Sequence, residues 1–393
     1  MTSLHEGSDV ATIRKQFADL IRGVSPQEIA EIEQTLIAEG VPVEQVQKLC
    51  DVHVAVFEDT LKSRKKVKAI PGHPVHTYLQ ENKVARQILR RLKRLTKRVP
   101  KGHDHEAFAQ ELQKLRQINV HFQRKENQLF PLLERVGFTG PSKVMWGKHD
   151  EIRAQLGQLD AAYQTSDWPA LRITARTVSR SIRRMLFMEE RILFPNALSK
   201  IADKQWAEVR EGEPEIGYAW IQPGNLWDSS LVRARETSAA PETGAGEVST
   251  GTPPSVANQT PIALDVGELS QQQINLMLNS LPLDISFVDE NDRVRYYSQS
   301  KERIFPRSPA VIGREVQNCH PPQSVQTVEK ILKCFRQKTQ NKAEFWITVE
   351  DRFIHIRYFA VYDAEGEYRG VVEVSQDVTD IRALQGQKRL LDW

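Results

Sequence analysis

Histidine and glutamate residues between positions 73 and 190 have the types and spacing of a metal site inside a helical bundle. Two segments, HFQRKENQLFPLLE from position 121 and MLFMEERILFPNAL from position 185, share a Glu…Leu-Phe-Pro element. Alignment on Leu-Phe-Pro superposes Glu126 on Glu190 and Lys125 on Glu189. In an up-down bundle the second and fourth helices run parallel, so equivalent positions lie at the same height. Two carboxylates would then converge in the core, where a carboxylate is expensive unless it is paired or binds a cation.

The histidines can supply nitrogen donors to the same site. His121 precedes Glu126 by five positions, and His149 lies early in the predicted third helix. His73 and His76 stand three positions apart at the start of the first helix. Imidazole nitrogen combined with carboxylate oxygen suits iron, manganese or zinc. Each predicted helix therefore offers at least one candidate ligand, although any single histidine can instead cap a helix or lie at the surface.

Glu189 and Glu190 are adjacent, so at most one of them points fully inward. The alignment of the two segments favours Glu190, whereas the spacing from Met185 favours Glu189. Both stay candidates. The complete set of candidate metal ligands is His73, His76, His121, Glu126, His149, Glu189 and Glu190.

Four long segments carry apolar residues at the spacing of a helix, approximately over residues 75–95, 105–135, 142–164 and 168–197. The connections between them are short and contain Pro or Gly, so neighbouring helices are expected to be antiparallel. The pattern predicts an up-down four-helix bundle between residues 71 and 200.

The remaining sequence divides into segments of different character. Residues 10–68 predict an all-α N-terminal module of short amphipathic helices, and residues 201–262 an aromatic segment followed by a flexible linker rich in Ser, Thr, Gly and Pro. Residues 265–383 show two alternating hairpin patterns around a helix, which predicts an α+β domain with an antiparallel sheet. Residues 384–393 form a C-terminal tail. The sequence therefore predicts a multidomain protein.

Composition limits the classes of function. The 393-residue chain has 54 basic and 51 acidic side chains and a net charge of +3, too balanced to indicate nucleic acid on charge alone. Three cysteines without a CxxC pair fit a reducing compartment, and no apolar run approaches the roughly 18 residues that span a bilayer, so a cytoplasmic location is expected. No Ser-His-Asp arrangement, Walker loop or GxGxxG fingerprint stands out, so a conventional enzyme is not expected.

With HFQRKENQLFP, MWGKHDEIR and the repeated Glu…Leu-Phe-Pro element, the region from Pro71 to Ser199 resembles the hemerythrin-like HHE cation-binding family. The resemblance implies a bundle that holds non-haem iron, expected as a di-iron pair. Two of the usual imidazoles are missing, since Met185 and Asn82 stand where many members have histidine. The resemblance thus implies a ligand-poor site with open positions for water, O₂ or NO.

The C-terminal domain carries a second resemblance. LPLDISFVDENDRVRYYS and VVEVSQDVTDI are similar to the first hairpin and the last strand of a PAS domain, and the N-terminal module resembles DUF438. PAS domains commonly hold flavin, haem or another small molecule, or mediate dimerisation. Cys319 and His320 are adjacent thiolate and imidazole candidates for a haem ligand. The alternative is that His320 caps a helix or satisfies a turn.

Together these features predict a non-haem iron sensor or signalling protein that responds to O₂, NO or redox state. Its expected partners are that small ligand, an unidentified downstream protein and a second copy bound through the PAS domain, without a strong nucleic-acid or membrane signal. One alternative is a di-iron protein that donates iron or repairs iron–sulfur clusters under nitrosative or oxidative stress. Another is a metal-free interaction scaffold.

Overall fold

The structure is a computed structural model of the whole chain. It describes residues 67–230, 232, 261–301, 303–349 and 351–387, with the isolated positions 28, 35, 36, 39 and 46. The predicted N-terminal module and most of the predicted linker therefore lie outside the described residues. Contacts divide the chain into two compact units, one with the bundle helices and one with the strands, and each is described separately.

The first unit contains the four bundle helices, and two of them are built from several segments. The first is α1 (Pro74–Leu95), and the second consists of α2 (His105–Arg116), α3 (Ile118–Arg124), a π-helical turn (Lys125–Leu129) and α4 (Phe130–Arg135). The third is α5 (Gly140–Gln164), and the fourth consists of α6 (Trp168–Met188), a second π-helical turn (Glu189–Leu193) and α7 (Phe194–Lys200). A further helix, α8 (Asp203–Ile216), follows. The predicted helical bundle is confirmed.

Capping side chains and prolines fix the starts of α1 and α6. His73 Nδ1 accepts a hydrogen bond of 3.1 Å from the Val75 backbone N–H, and Pro74 follows at the first helical position. Asp167 caps α6 in the same way, accepting from the Ala170 N–H at 3.0 Å. Such caps satisfy backbone donors that a helix leaves free at its start, and proline there removes one of them.

Each π-helical turn is followed directly by Phe-Pro, at Phe130-Pro131 and at Phe194-Pro195. Proline has no N–H to donate to the carbonyl four residues earlier, so an α-helix cannot continue through it with an unbroken set of hydrogen bonds. A π-helical turn holds one residue more than an α-helical turn and shifts the direction of the residues that follow it. The repeat seen in the sequence is therefore also a repeat of local structure.

The bundle core is contiguous and takes large apolar side chains from every helix. Leu89, Phe108, Phe122, Leu159 and Ile182 are each at most 1% exposed. Each such side chain contributes about 1.5–3 kcal/mol by its removal from water. This apolar frame surrounds the buried polar side chains described below.

The second unit has an antiparallel five-stranded sheet in the order β4-β3-β7-β6-β5. Its strands are β3 (Asp284–Asp289), β4 (Val294–Tyr297), β5 (Lys342–Val349), β6 (Arg352–Tyr362) and β7 (Tyr368–Asp377). A small pair, β1 (Pro261–Ala263) and β2 (Glu268–Ser270), precedes it, and the helices are α9 (Gln271–Ser280), α10 (Pro322–Arg336) and α11 (Thr379–Ala383). The predicted α+β domain is confirmed, with the two expected hairpins as β3–β4 and β6–β7.

Gly370 allows β7 to pass close to β3. Its φ is +138°, and a Cβ added there would lie 2.1 Å from the Val288 carbonyl oxygen. Gly370→Ala is therefore expected to destabilise the sheet by about 2–3 kcal/mol, through backbone strain and overpacking. Hydrogen exchange of β3 and β7 would measure this. Gly366→Ala is the control, because its φ is also positive but its added Cβ would meet only the Lys338 Nζ, at an ordinary contact distance of 3.8 Å. Equal protection losses in the two variants would contradict the prediction.

Within the described residues, none of the helices is both long and apolar enough to cross a bilayer.

Candidate metal centre

Four fully buried polar side chains meet inside the bundle, and we call them the central cluster: His121, Lys125, His149 and Glu189. Each is at most 1% exposed. His121 comes from α3, Lys125 and Glu189 open the two π-helical turns, and His149 comes from α5. The cluster therefore joins the second, third and fourth bundle helices.

Lys125 lies between the other groups of the central cluster. Its Nζ donates to Glu189 Oε1 and lies 3.0 Å from His149 Nε2. His121 Nε2 lies 3.1 Å and 3.3 Å from the two Glu189 carboxylate oxygens. The Lys125 ammonium has only donors, whereas the Glu189 carboxylate and an unprotonated His149 nitrogen are both acceptors. Lys125 is therefore complementary to Glu189 and His149 in hydrogen bonding.

Two further carboxylates hold the outer nitrogens of the histidines. Glu81 Oε2 lies 2.7 Å from His121 Nδ1, and Glu126 Oε1 lies 2.7 Å from His149 Nδ1. A carboxylate on one ring nitrogen fixes the orientation of the ring and directs the other nitrogen away from it. Both imidazoles therefore point Nε2 towards the middle of the bundle, as metal-bound histidines do.

Two arginines, one fully buried and one partly exposed, balance the outer carboxylates. Arg124 is fully buried; its Nη1 donates to Glu81 at 3.1 Å and its Nη2 lies 3.6 Å from Glu213. Glu81 also accepts from the Ala219 backbone N–H at 2.9 Å. Arg153 Nη2 donates to both Glu126 oxygens at 2.8 and 2.9 Å. The interior is thus a network of alternating charges rather than an isolated group of acids.

The pKa shifts follow from burial and from these neighbours. Burial would raise the pKa of Glu189, but Lys125 and His121 outweigh it and hold that pKa far below its ordinary value. Burial lowers the pKa of His149 well below the ordinary value, and Lys125 and Arg153 lower it further. Burial also lowers the pKa of Lys125, against the opposing effect of Glu189. A negative Glu189 and a neutral His149 are the forms that accept hydrogen bonds from Lys125.

The donor set does not fit a di-iron centre. A metal here would need His149 Nε2 and Glu189 as ligands, and the Lys125 ammonium already bonds to both. An ammonium cannot ligate a cation and repels it. Within the ranges that the structure describes, no group of three or more His, Cys, Asp or Glu side chains is disposed to hold a metal ion.

Two of the predicted histidine ligands have other partners. His73 caps α1 and packs its ring 4.8 Å from that of Trp206 and 4.9 Å from that of Trp227; burial lowers its pKa to about 4. His76 Nε2 lies 3.0 Å from Gln80 Nε2.

Glu190 lies outside the central cluster as well. It accepts from Arg86 at 2.7 Å and from Asn82 at 3.3 Å, and its side chain is 20% exposed, whereas Glu189 is fully buried. The structure therefore brings together His121, His149 and Glu189, with Glu126 one step further out.

Sequence reasoning missed the residues that complete this network. Lys125 follows His121 by four positions just as Glu189 follows Met185 by four, so the alignment already contained the signal. Glu81 directly precedes Asn82, and only Asn82 was compared with the family pattern, as a position where many members have histidine. Arg124 and Glu213 gave no signal, because their pairing joins α3 to α8, which lies beyond the four bundle helices.

Cys319, which belongs to the second unit, is the last residue of a short 3₁₀ turn, Val316–Cys319, and His320 is the next residue along the chain. The Cys319 thiol is 8% exposed and donates to the Glu315 carbonyl at 3.6 Å. Haem ligation by this pair stays a prediction.

Glu213 gives the bundle a distinct dependence on pH. Burial raises its pKa to about 7, although Arg124 and Arg210 oppose the shift. The folded chain thus holds this proton more tightly than the unfolded chain, where the ordinary value is 4.5. The contribution of Glu213 to stability is full below about pH 4.5 and is lost as the pH rises to about 7. Urea unfolding at both ends of this window would show a loss of roughly 1–3 kcal/mol that is absent in Glu213→Gln; identical pH profiles would contradict this.

Comparison with known families gives three matches. Residues 1–63 match DUF438, a family of unknown function, residues 73–197 match the hemerythrin HHE cation binding domain, and residues 274–379 match the PAS domain. No curated protein matches the chain. The families predicted from the sequence are confirmed.

Several solved structures are similar to part of the chain. The C-terminal domain of a protein from Streptococcus mutans is 36% identical over 33% of this chain and 99% of its own, with a TM-score of 0.31. The PAS domain of a protein from Colwellia psychrerythraea is 15% identical over 28% of this chain and 98% of its own, with a TM-score of 0.23. The PAS domain of BvgS from Bordetella pertussis is 16% identical over 28% of this chain and 86% of its own, with a TM-score of 0.24.

The family matches agree with the helical first unit and the antiparallel sheet of the second. In chain order, this chain therefore carries a segment that matches DUF438, a region that matches the hemerythrin HHE cation binding domain and a region that matches the PAS domain.

Proposed function

We propose that this chain is a cytoplasmic signalling protein in which the Lys125 ammonium, rather than a di-iron centre, is the cation of the hemerythrin-type bundle. The presence of a hemerythrin HHE domain and a PAS domain in one chain supports a sensor or signalling role. The observation that carries the proposal is the position of Lys125 Nζ, bonded to both Glu189 and His149 Nε2.

The charges around Lys125 support a closed network. Glu189 is matched by Lys125, Glu81 by Arg124 and Glu126 by Arg153. A buried ion pair is tolerated when additional hydrogen bonds satisfy its members, and each of these carboxylates also bonds to an imidazole nitrogen. The network thus supports a bundle that folds without metal and serves as an interaction module, while the signal is received by the PAS domain and passed to a downstream protein or a second copy.

The rival is an iron-binding sensor that responds to O₂, NO or redox state. One observation favours it: both imidazoles point Nε2 inward and hold a carboxylate at Nδ1, which is the arrangement of metal-bound histidine. In this alternative Lys125 would have to leave the central cluster before iron could enter. A protein that donates iron or repairs iron–sulfur clusters would have the same requirement.

Metal analysis separates the two. The full chain, produced with excess iron and purified without air, is expected to hold far less than one metal ion per chain. Lys125→Glu replaces the built-in cation by a carboxylate and is expected to raise bound iron, manganese or zinc to about one ion per chain, because it leaves two imidazoles and two carboxylates without a cation.

Lys114→Glu is the matched control, because Lys114 makes the same change of charge on α2 and is 51% exposed in its pair with Glu111. It should leave metal content unchanged. Stoichiometric iron in the unmodified protein, with the Mössbauer signature of a non-haem site, would overturn the proposal in favour of the iron sensor.

A further inference from the structure

The outer faces of α1 and α6 are strongly basic. In α6 there is no Asp or Glu, and the one acidic residue of α1, Glu81, is buried against His121 and Arg124. The two helices carry many cations. These are Lys83, Arg86, Arg90, Arg91, Lys93, Arg94, Arg172, Arg176, Arg180, Arg183 and Arg184. The net charge of +3 for the whole chain conceals this local excess.

Recorded contacts fix how α1 and α6 lie against each other. At one end Glu190, just after α6, accepts from Asn82 and Arg86. Arg183 lies about two helical turns before Glu190. Burial lowers the pKa of Arg183, and the nearby positive charges of Arg90 and Arg86 lower it further. Residues earlier in the fourth helix thus lie beside residues later in α1, so the two helices are antiparallel.

Extension of this register by single helical turns aligns two rows of cations. Arg94 is then level with Arg180. Lys97 lies in the turn directly after α1, where its N–H donates to the Arg94 carbonyl at 3.2 Å, and this turn carries the row on towards the level of Arg176. We call the resulting surface the basic face, and its members are Arg90, Arg94, Lys97, Arg176, Arg180 and Arg183. All are exposed except Arg183, which is half-buried.

The cations of the basic face differ from their neighbours in their pairing. Arg86 pairs with Glu190 and Arg91 with Glu111, at 2.7 and 3.5 Å. In the part of the chain that the structure describes, by contrast, the six members of the basic face form no ion pair. Like charges held this close repel one another, so an anion that joins both rows would stabilise the surface.

We propose that the basic face docks the phosphate backbone of duplex nucleic acid. Its cations recur about once per helical turn, roughly every 5.4 Å, which gives a polymer of phosphates several contacts at once. Five of the six are arginines, whose planar guanidinium binds phosphate through two parallel hydrogen bonds. Such contacts neutralise charge without reading sequence, so the docking is sequence-independent.

The side chains around the basic face favour a duplex over other polyanions. The described residues of α1 and α6 present no exposed aromatic side chain, and binding to single strands depends on aromatic rings that stack on bases. Ile173, 66% exposed, is the one exposed large apolar residue on these helices, whereas a membrane-binding surface inserts several.

The test is binding of the full chain to a fluorescent DNA duplex of about 20 base pairs at low salt, followed by anisotropy over a series of salt concentrations. The face variant carries Arg90→Glu, Arg94→Glu and Arg180→Glu. The matched control carries Lys204→Glu, Lys330→Glu and Lys333→Glu, three exposed lysines outside the basic face with the same change of net charge.

We expect the unmodified chain and the control to bind, and the face variant to bind at least about tenfold more weakly. The slope of log K against log salt should become shallower by about 2–3 in the face variant, because three phosphate contacts are lost. A neutral set, Arg90→Gln, Arg94→Gln and Arg180→Gln, should give a smaller loss in the same direction, and circular dichroism verifies that each variant is folded.

Several outcomes would overturn the proposal. One is the absence of duplex binding by the unmodified chain at low salt. Another is an equal loss of duplex affinity in the face variant and the control, which would show that binding depends on the net charge of the chain rather than on the basic face. Tighter binding to phosphatidylserine vesicles or to poly-glutamate than to the duplex would assign the basic face to a membrane or to an acidic protein instead.

Discussion

Lys125→Met is expected to lower the free energy of unfolding of the bundle by about 3–5 kcal/mol, because removal of one member of a buried ion pair leaves the other charge without a partner. The orphaned charge is Glu189, which is fully buried and, among the residues that the structure describes, keeps only His121 as a partner. Methionine fills much of the same volume, so the loss reports charge and hydrogen bonding rather than a cavity. Urea unfolding in the presence of a chelator, followed by circular dichroism of the helices, measures the change.

Two controls accompany this variant. Lys114→Met removes an exposed lysine that also pairs with a glutamate, and should cost at most about 1 kcal/mol. The double variant Lys125→Met with Glu189→Gln removes the charge that the single variant orphans, so it should recover part of the lost stability. Equal stabilities of Lys125→Met and the unmodified protein would contradict the assignment of Lys125 as the internal cation.

Arg124→Met is expected to destabilise the bundle by about 3 kcal/mol or more, for the same physical reason at a second position. Arg124 is fully buried, donates to Glu81 and lies over the Tyr78 ring at 4.3 Å. Its loss leaves Glu81 with His121 and one backbone N–H. Thermal unfolding monitored at the helical band would show the change as a lower midpoint.

Arg116→Met is the matched control for Arg124. Arg116 ends α2, pairs with Asp160 at 2.6 Å and is 44% exposed. An exposed pair of this kind contributes about 0–1 kcal/mol, so the two variants should differ several-fold in effect. Similar losses in both would mean that burial of the Arg124 pair adds nothing to its strength.

The fold and the families follow from the sequence because they depend on periodicity that extends over many residues. Apolar positions at helical spacing between residues 75 and 197 predict the bundle, and alternation around the turns of β3–β4 and β6–β7 predicts the sheet. Such patterns tolerate local exceptions, since a helix or strand is stabilised by the sum of many contacts.

The site depends instead on single positions, and one irregularity decides them. The choice between Glu189 and Glu190 could not be made from a uniform helical period, because a π-helical turn begins at Glu189 and changes the direction of the residues after it. Lys125 stood in the alignment opposite Glu189, but a lysine does not belong to any set of metal ligands. Its role becomes clear only when its Nζ is placed between His149 and Glu189.

The first histidines show a different limit. His73 and His76 open α1, where a ligand was expected, yet His73 packs against Trp206 and Trp227, which lie more than a hundred residues later in the chain. Packing across such a separation leaves no mark in the local pattern. His73 is thus engaged by tilted and edge-on contacts with the two indole rings and by the cap of α1, and its role as a metal ligand stays a prediction.

The placement of Lys125 also determines where the cation of the bundle comes from. A cation that is a side chain is made with the chain, in a fixed ratio of one per copy, and no chelator can withdraw it and no competing metal can replace it. Under the proposed function, a bundle centred on such a group would reach its folded form equally in iron starvation and in iron plenty. The yield of folded protein would then be independent of the mineral content of its surroundings.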